Sequence, residues 1–390
     1  MNRLAFLARK VITPETVILD GVVLVEGTKI LEVGNYKSVK FSKKEFSIWG
    51  GPQYCLVPGF IDTHIHGAQG RDVMEGTKDA LDIISQSLAR HGTTAYLATT
   101  ITASVEKTLQ SVERIGNQIR HSRQGAQLIG IHLEGPFISP EKCGAHPAIH
   151  IHPASISLLE QIITRANNQV KLITLAPEIK GVKDLIHYAR SKNIVVSLGH
   201  SNSVYKDAQE AISQGASNAT HIFNAMRAFN HREPGIIGAI LTNPNIWTEL
   251  IADGIHVTPN TINFLLQSKG TRKLLLITDS ISAQGMPDGY YHLGDSQVTV
   301  LNGVCRNSEG KLAGSTLTQD KAMKNLLNWS KLPLQEIIFM LTKNPAKSLK
   351  IANSKGSLTP GNDADMVLLL LNDLSVHTTI IKGKIGHTIG

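Results

Sequence analysis

The feature that most restricts how this chain can fold is a repeated alternation. Short apolar runs of strand length alternate with longer segments in which apolar residues recur at helical spacing. The runs cover residues 56–61, 94–99, 126–134, 170–175, 194–198, 218–223, 249–252 and 273–278. Helical patterns over 78–90, 105–120, 155–167, 182–191, 205–214 and 259–269 separate most of them. Eight strands alternating with helices over roughly 290 residues predict an α/β fold of the TIM type, a (β/α)8 barrel. A doubly wound open sheet is the alternative. No Gly-x-Gly-x-x-Gly follows an early strand, which weakens its dinucleotide-binding form.

Both flanks have a different character. Residues 17–25 are two apolar runs around Asp20-Gly21 and predict a hairpin; residues 29–34 predict another strand. Residues 364–369 and 378–384 predict strands separated by polar turns. The expected layout is a small β-sandwich domain built from 1–54 and 350–390 around a catalytic barrel at 55–349.

The formal charge is +8. The basic residues are dispersed, with no run of five and no aromatic interleaving, so nucleic-acid binding has no motif behind it. A basic surface or a site for an anionic small molecule explains the charge as well. Three cysteines, Cys55, Cys143 and Cys305, argue against a disulfide framework and fit a reducing cytoplasm. No apolar stretch reaches the roughly 18 residues of a membrane helix, and the N-terminal stretch lacks the pattern of a signal peptide.

Chemistry-bearing residues gather where the apolar runs end. His64 and His66 follow the first run and, two apart on a strand, project to one face. Glu134, His200, His221, His256 and Asp279 follow the third, fifth, sixth, seventh and eighth. A single strand-end histidine is more often a hydrogen-bonded structural residue. Seven such groups on the rim where barrel enzymes keep their active sites form the ligand set of a divalent metal. His132, two before Glu134, is either a further ligand or a partner of one. Asp62 faces away from His64 and is expected to be structural. Glu178, after the fourth run, is a candidate supporting residue, and Cys143 is a loop thiol near the site.

The surrounding stretches carry a resemblance. They are His132-Leu-Glu134-Gly-Pro-Phe, Gly199-His200-Ser201, Thr220-His221-Ile-Phe-Asn224-Ala225-Met226, His231-Arg232-Glu233-Pro234-Gly235, Ile251-Ala252-Asp253-Gly254-Ile255-His256, Thr278-Asp279, Leu312-Ala313-Gly314-Ser315-Thr316-Leu317 and Asn344-Pro345-Ala346. In order and spacing the chain resembles the N-acetylglucosamine-6-phosphate deacetylases of the amidohydrolase superfamily. The resemblance implies that Glu134, His200 and His221 are metal ligands, that Asp279 is the general acid/base, and that His146 hydrogen-bonds the substrate amide oxygen. It implies substrate contacts at Ala145, Asn224, Ala225, Arg232 and His256, with Leu312, Ala313 and Gly314 as a further wall. Some members carry Gln-x-Asn where His64 and His66 stand here; with both histidines intact, a second metal at His64, His66 and Asp279 is expected to fit, with Glu134 between the ions. The metal could be zinc, iron, manganese, cobalt or nickel.

The implied reaction is hydrolysis of the acetamide of N-acetyl-D-glucosamine 6-phosphate, in a homodimer with no nucleic-acid or membrane partner. A deacetylase for the galacto epimer would use the same metal and acid/base residues. A catalytically inert scaffold on the same fold would have lost ligands, and all are present.

Overall fold

The computed structural model describes residues 3–119, 121 and 123–389. Four strands come first: β1 (Arg3–Ile12), β2 (Val17–Glu26), β3 (Lys29–Asn35) and β4 (Ser47–Pro58). The alternating region follows: β5 (Phe60–Ile65), a short finger of β6 (Gly67–Ala68) and β7 (Arg71–Asp72), α1 (Lys78–Arg90), β8 (Thr93–Thr100), α2 (Val105–Gln118), β9 (Gln127–Glu134), α3 (Ile156–Arg165) and β10 (Val170–Leu175). It continues through α4 (Val182–Ser191), β11 (Val195–Leu198), α5 (Tyr205–Ser213), β12 (Asn218–Ala219), α6 (Gly235–Thr242), β13 (Trp247–Ile251), α7 (Pro259–Lys269) and β14 (Leu274–Ile277). A three-stranded sheet, β15 (Gly289–Leu293), β16 (Ser296–Leu301) and β17 (Val304–Asn307), leads to α8 (Gln319–Trp329), α9 (Leu334–Leu341) and α10 (Lys343–Ser348). Strands β18 (Met366–Leu370), β19 (Val376–Ile381) and β20 (Lys384–Thr388) complete the described chain.

The eight strands β5 and β8–β14 form one parallel sheet in sequence order, and a parallel bridge between Ile65 and Ser280 joins its two margins. The predicted barrel is therefore present. Every residue of β5, β8, β11 and β14 is buried, because one face packs inside the barrel and the other under helices. The helices start where a hydroxyl can cap them. Thr77, Ser104, Ser155 and Thr258 each accept a backbone N–H of the first turn, worth about 1 kcal/mol apiece.

The flanking strands make one seven-stranded sheet, β20-β19-β18-β4-β1-β2-β3. Inward residues from both ends of the chain, such as Phe6, Val23, Leu56, Met366 and Ile380, share a single core, as the layers of a small β-domain require. Buried Lys355 ties this domain to the barrel: its Nζ lies 2.6 Å from Asp365, 3.0 Å from Asp363 and 3.1 Å from the side-chain oxygen of Gln127 on β9.

Three local expectations change. The apolar run at 56–61 is two strands in two sheets. β4 pairs with β18 as far as Pro58 opposite Met366, and β5 begins at Phe60 opposite Thr93. Both strands are buried at the junction, so hydrophobicity shows no break there. Gly59 makes the handover in a space where a Cβ would lie 2.2 Å from the Thr94 hydroxyl. Residues 17–25 are not a hairpin: β2 runs straight through, and Asp20, with φ 47°, is a local irregularity beside Gly21, which packs on Val11. The sixth barrel strand is only Asn218–Ala219, because the backbone leaves the extended region at His221 (φ 27°) and Phe223 (φ 76°).

Candidate active site

The strand-end residues converge at the C-terminal mouth of the barrel. His64 belongs to β5 and His66 follows it; Glu134 closes β9; His200, His221 and Asp279 lie just beyond β11, β12 and β14. The last three have positive φ, 47°, 27° and 50°. A non-glycine residue held in that region costs about 1–3 kcal/mol, and such strain concentrates at functional sites. Here it turns each side chain off its strand and inward over the mouth.

Two donor groups result. His64, His66 and Asp279 form one, and Glu134, His200 and His221 the other; within each group the ligand atoms lie within 4.8 Å of one another, and all six residues are buried. His64 Nε2 and His66 Nε2 are 3.3 Å apart, and Asp279 Oδ1 lies 3.4 and 3.1 Å from them. His200 Nε2 and His221 Nε2 are 3.1 Å apart, with Glu134 Oε1 at 3.2 and 3.0 Å. Glu134 joins the groups, because its oxygens also lie 3.3 Å from His64 Nε2 and 3.3 Å from His66 Nε2.

The ring environments show that these donors suit a metal ion. His66 Nδ1 donates to the Thr99 carbonyl at 3.0 Å, His200 Nδ1 to the Lys142 carbonyl at 2.9 Å, and His64 Nδ1 to Glu249 at 3.0 Å. Each of these bonds places the ring proton on Nδ1 and aims an Nε2 lone pair into the cluster, the outer-sphere arrangement of metal-binding imidazoles. Burial disfavours charge on His64 and His66, yet the adjoining carboxylates outweigh it. They raise His64 well above the usual imidazole value and push His66 up to about 9. Burial likewise opposes ionisation of Glu134 and Asp279, but the histidines hold both well below the carboxylate range. The buried carboxylates of Glu134 and Asp279 therefore concentrate a field that favours positive charge at the cluster.

A cavity of about 320 Å3 opens onto this cluster. Of the residues expected to contact substrate, Ala145, His146, Asn224, Ala225, His256, Leu312 and Gly314 line it. Ala313 is buried behind the wall, and Arg232 is exposed and does not line the cavity of its own chain. The loop 143–146 brings His146 Nε2 to 3.2 Å from Glu134, while its Nδ1 accepts the Thr102 backbone N–H at 3.2 Å. Burial first, and then His200, hold His146 down to about 4.

The comparisons with known proteins agree with this geometry. The model of the family described as the Amidohydrolase family matches residues 55–386. The chain belongs to the amidohydrolase family. The N-acetylglucosamine-6-phosphate deacetylase of Bacillus subtilis (strain 168) is 38% identical over 378 residues, 96% of this chain and 95% of that protein. The N-acetylgalactosamine-6-phosphate deacetylase of Escherichia coli O157:H7 is 38% identical, over 85% of this chain and 87% of its own. Among solved structures, a mutant N-acetyl-D-glucosamine-6-phosphate deacetylase from Mycobacterium smegmatis, in complex with N-acetyl-D-glucosamine-6-phosphate, superposes with a TM-score of 0.92 at 30% identity, covering 100% of both chains. The resemblance carried by the motifs is thus borne out.

In this amidohydrolase several further polar residues hold the cluster from behind. His132, which the sequence left as ligand or partner, belongs to neither donor group; its ring nitrogens lie 2.8 Å from the Thr174 hydroxyl and 3.4 Å from that of Thr99. Burial and neighbouring His64 hold it well below the usual imidazole value, so it is a neutral spacer. Asp62 accepts the Thr278 hydroxyl at 2.6 Å and ties β5 to the end of β14. Glu178 accepts from the Ser201 hydroxyl and the Asn202 backbone, fixing the turn after His200.

Sequence reasoning missed two carboxylates. Glu249, fully buried in β13, receives His64 Nδ1 at 3.0 Å, the Thr63 hydroxyl at 3.2 Å and the His221 backbone N–H at 3.4 Å. A charged residue inside a strand covered on both faces was the available signal. Asp253 lies 2.7 Å from His256 Nδ1. Burial disfavours charge on both, but their pairing raises His256 and lowers Asp253. Lys311 also lines the cavity and was not singled out.

Proposed function

We propose that this amidohydrolase removes the acetyl group of N-acetyl-D-glucosamine 6-phosphate, giving D-glucosamine 6-phosphate and acetate. The observation that carries the reading is the joining of two donor groups through Glu134, with His146 and His256 on the walls of the same cavity. The overall match to a deacetylase structure bound to this sugar phosphate supports the substrate class.

Glu134, His200 and His221 would hold one divalent ion, and His64, His66 and Asp279 a second; zinc, iron, manganese, cobalt or nickel each suit nitrogen and carboxylate donors. Such an ion supplies Lewis acidity and brings the pKa of water from 15.7 towards about 7. The remaining work falls to side chains. The Asp279 carboxylate, held ionised beside His66, accepts the proton of the attacking water and later returns it to the sugar nitrogen as acetate leaves. His146 keeps its proton on Nε2, because Nδ1 already accepts the Thr102 N–H, and donates to the acetamide oxygen as negative charge develops there. The His256 imidazole, its pKa raised by Asp253 against the effect of burial, meets the sugar phosphate. Asn224, Ala225 and the wall from Leu312 to Gly314 fix the ring.

The reading includes a homodimer. Arg232 is exposed and outside its own cavity, in a segment that also exposes Phe229, and it would close the phosphate end of the partner's site. The three free cysteines fit the reducing cytoplasm, and no helix among the described residues is long and apolar enough to cross a membrane.

The test is acetate release from the gluco phosphate, its galacto epimer and the unphosphorylated sugar, on protein of known metal content. Expected is turnover of the gluco phosphate that is lost on chelation and lowered about 10²–10⁴-fold in Asp279→Asn with metal retained. Faster turnover of the galacto epimer would transfer the assignment to that sugar, and no turnover of either phosphate would end it.

A further inference from the structure

The end of the barrel away from the active site holds a second cavity, of about 580 Å3, larger than the first. It lies at the N-terminal ends of β13 and β14: Trp247 opens β13, and Lys273 directly precedes β14. Arg272, Lys273, Lys343 and Lys347 all line it. None of the four forms an ion pair among the described residues. The one carboxylate on the wall, Glu336, accepts the Thr271 hydroxyl at 2.7 Å.

Crowding like charges without counter-charge is unfavourable, more so where water is partly excluded. Lys273 records this, since burial first and then Lys347 lower its pKa. The arrangement is nevertheless built rather than loose. Lys273 Nζ sits 3.8 Å over the Trp247 ring and Lys343 Nζ 5.1 Å over Phe339. Asn344 donates to the carbonyls of Thr271 and Leu274 at 2.9 and 2.7 Å, fixing the cavity floor. A lysine lies over one face of each of the two aromatics that line the cavity and competes with base stacking there, which argues against a nucleic-acid strand. What remains is a concave site with an uncompensated charge of about +3.

We propose that this basal cavity binds a small molecule carrying two phosphoryl groups, at a site separate from the catalytic one. The bond-forming groups are the Arg272 guanidinium, which can fork onto two phosphoryl oxygens, and the three ammonium groups, which take the rest. Part of the net positive charge of +8 thereby finds a use that the deacetylase reading leaves open.

The test is calorimetric titration of the metal-loaded enzyme with fructose 1,6-bisphosphate as a two-phosphoryl probe and inorganic phosphate as a one-phosphoryl probe. Expected is saturable bisphosphate binding with Kd of about 1 mM or tighter, about tenfold or more weaker in K343Q/K347Q, while kcat and KM for deacetylation stay unchanged. Inorganic phosphate should bind this site more weakly. Should the double variant unfold, exposed Lys347→Gln alone should still weaken binding about threefold. No saturation by about 10 mM, equal affinity in the variants, or bisphosphate binding fully accounted for by competition with substrate would overturn the proposal. So would tighter, steeply salt-dependent binding of a short oligonucleotide that the same variants abolish, which would make the cavity a nucleic-acid contact.

Discussion

Replacing Glu249 by glutamine keeps the shape of a fully buried side chain and removes its charge. With the amide oxygen in the Oε2 position, the bonds from His64 Nδ1 and the His221 backbone persist as neutral ones, and the amide nitrogen meets the Thr63 hydroxyl, which rotates to accept. A hydrogen bond to a charged group is worth about 1.5–3 kcal/mol and a neutral one about 0.5–1.5, so the His64 contact loses about 1–1.5 kcal/mol. That energy is spent when positive charge is held at His64 Nε2, so cation affinity should fall about tenfold. This is the lower end of the roughly 10–100-fold effects seen for groups behind metal-bound histidines. The assay strips the enzyme with a chelator and records acetate release against buffered free zinc. Half-maximal activity should move to about tenfold higher zinc, with the unfolding temperature nearly unchanged. Superimposable zinc curves would refute the argument. So would a lower maximum at an unchanged midpoint, because Glu249 would then act on the chemistry and not on holding the cation.

Co-refolding Arg232→Ala with Asp279→Asn should restore about a quarter of wild-type sites, since random pairing gives half mixed dimers with one competent site each; no recovery would place Arg232 in its own chain's cavity. Lys355→Met leaves buried Asp365 without its cation, while Asp363 keeps Lys29 at 2.7 Å; it should cost about 3–5 kcal/mol, read as a fall of several degrees in Tm with kcat/KM at 25 °C intact. Asp253→Asn removes the partner that raises the His256 pKa. The cationic form is present below that raised value and lost as pH rises through it, so in the variant KM for the sugar phosphate should climb at lower pH than in wild type, with kcat moving less; an unchanged KM profile would remove His256 from phosphate binding.

The barrel was legible because parallel strands under helices are apolar throughout and leave discrete runs in the sequence. His64 and His66, Glu134, His200, His221 and Asp279 were legible for a related reason: each is a polar residue at the limit of such a run. The same continuity hid the boundary at Gly59, where one buried strand passes to another with no change of hydrophobicity. Glu249 opens its run instead of following it, and nothing in the order Trp247-Thr-Glu-Leu-Ile251 tells that it turns towards His64. The sheet β15–β17 escaped for the opposite reason. Its strands are half exposed and short, so their apolar pattern is diluted among polar turns, although its strand β15 supplies Leu293 to the catalytic cavity. Lys355 needed the fold itself, since its partners come from β9 and from the segment before β18.

The passage through Gly59 also bears on the order in which the protein is made. His64 stands on, and His66 just beyond, a strand whose barrel neighbour, β8, is synthesised soon afterwards, whereas β4 just before them has β18 as a neighbour. Until Met366–Leu370 leaves the ribosome, β4 presents an unpaired edge to solvent. His64 is in addition waiting for Glu249, and His66 for Asp279. The first members of the donor cluster to be translated are thus among the last to be locked, and a nascent chain stalled before β18 would carry most of a barrel with a frayed entrance strand, a substrate for chaperones.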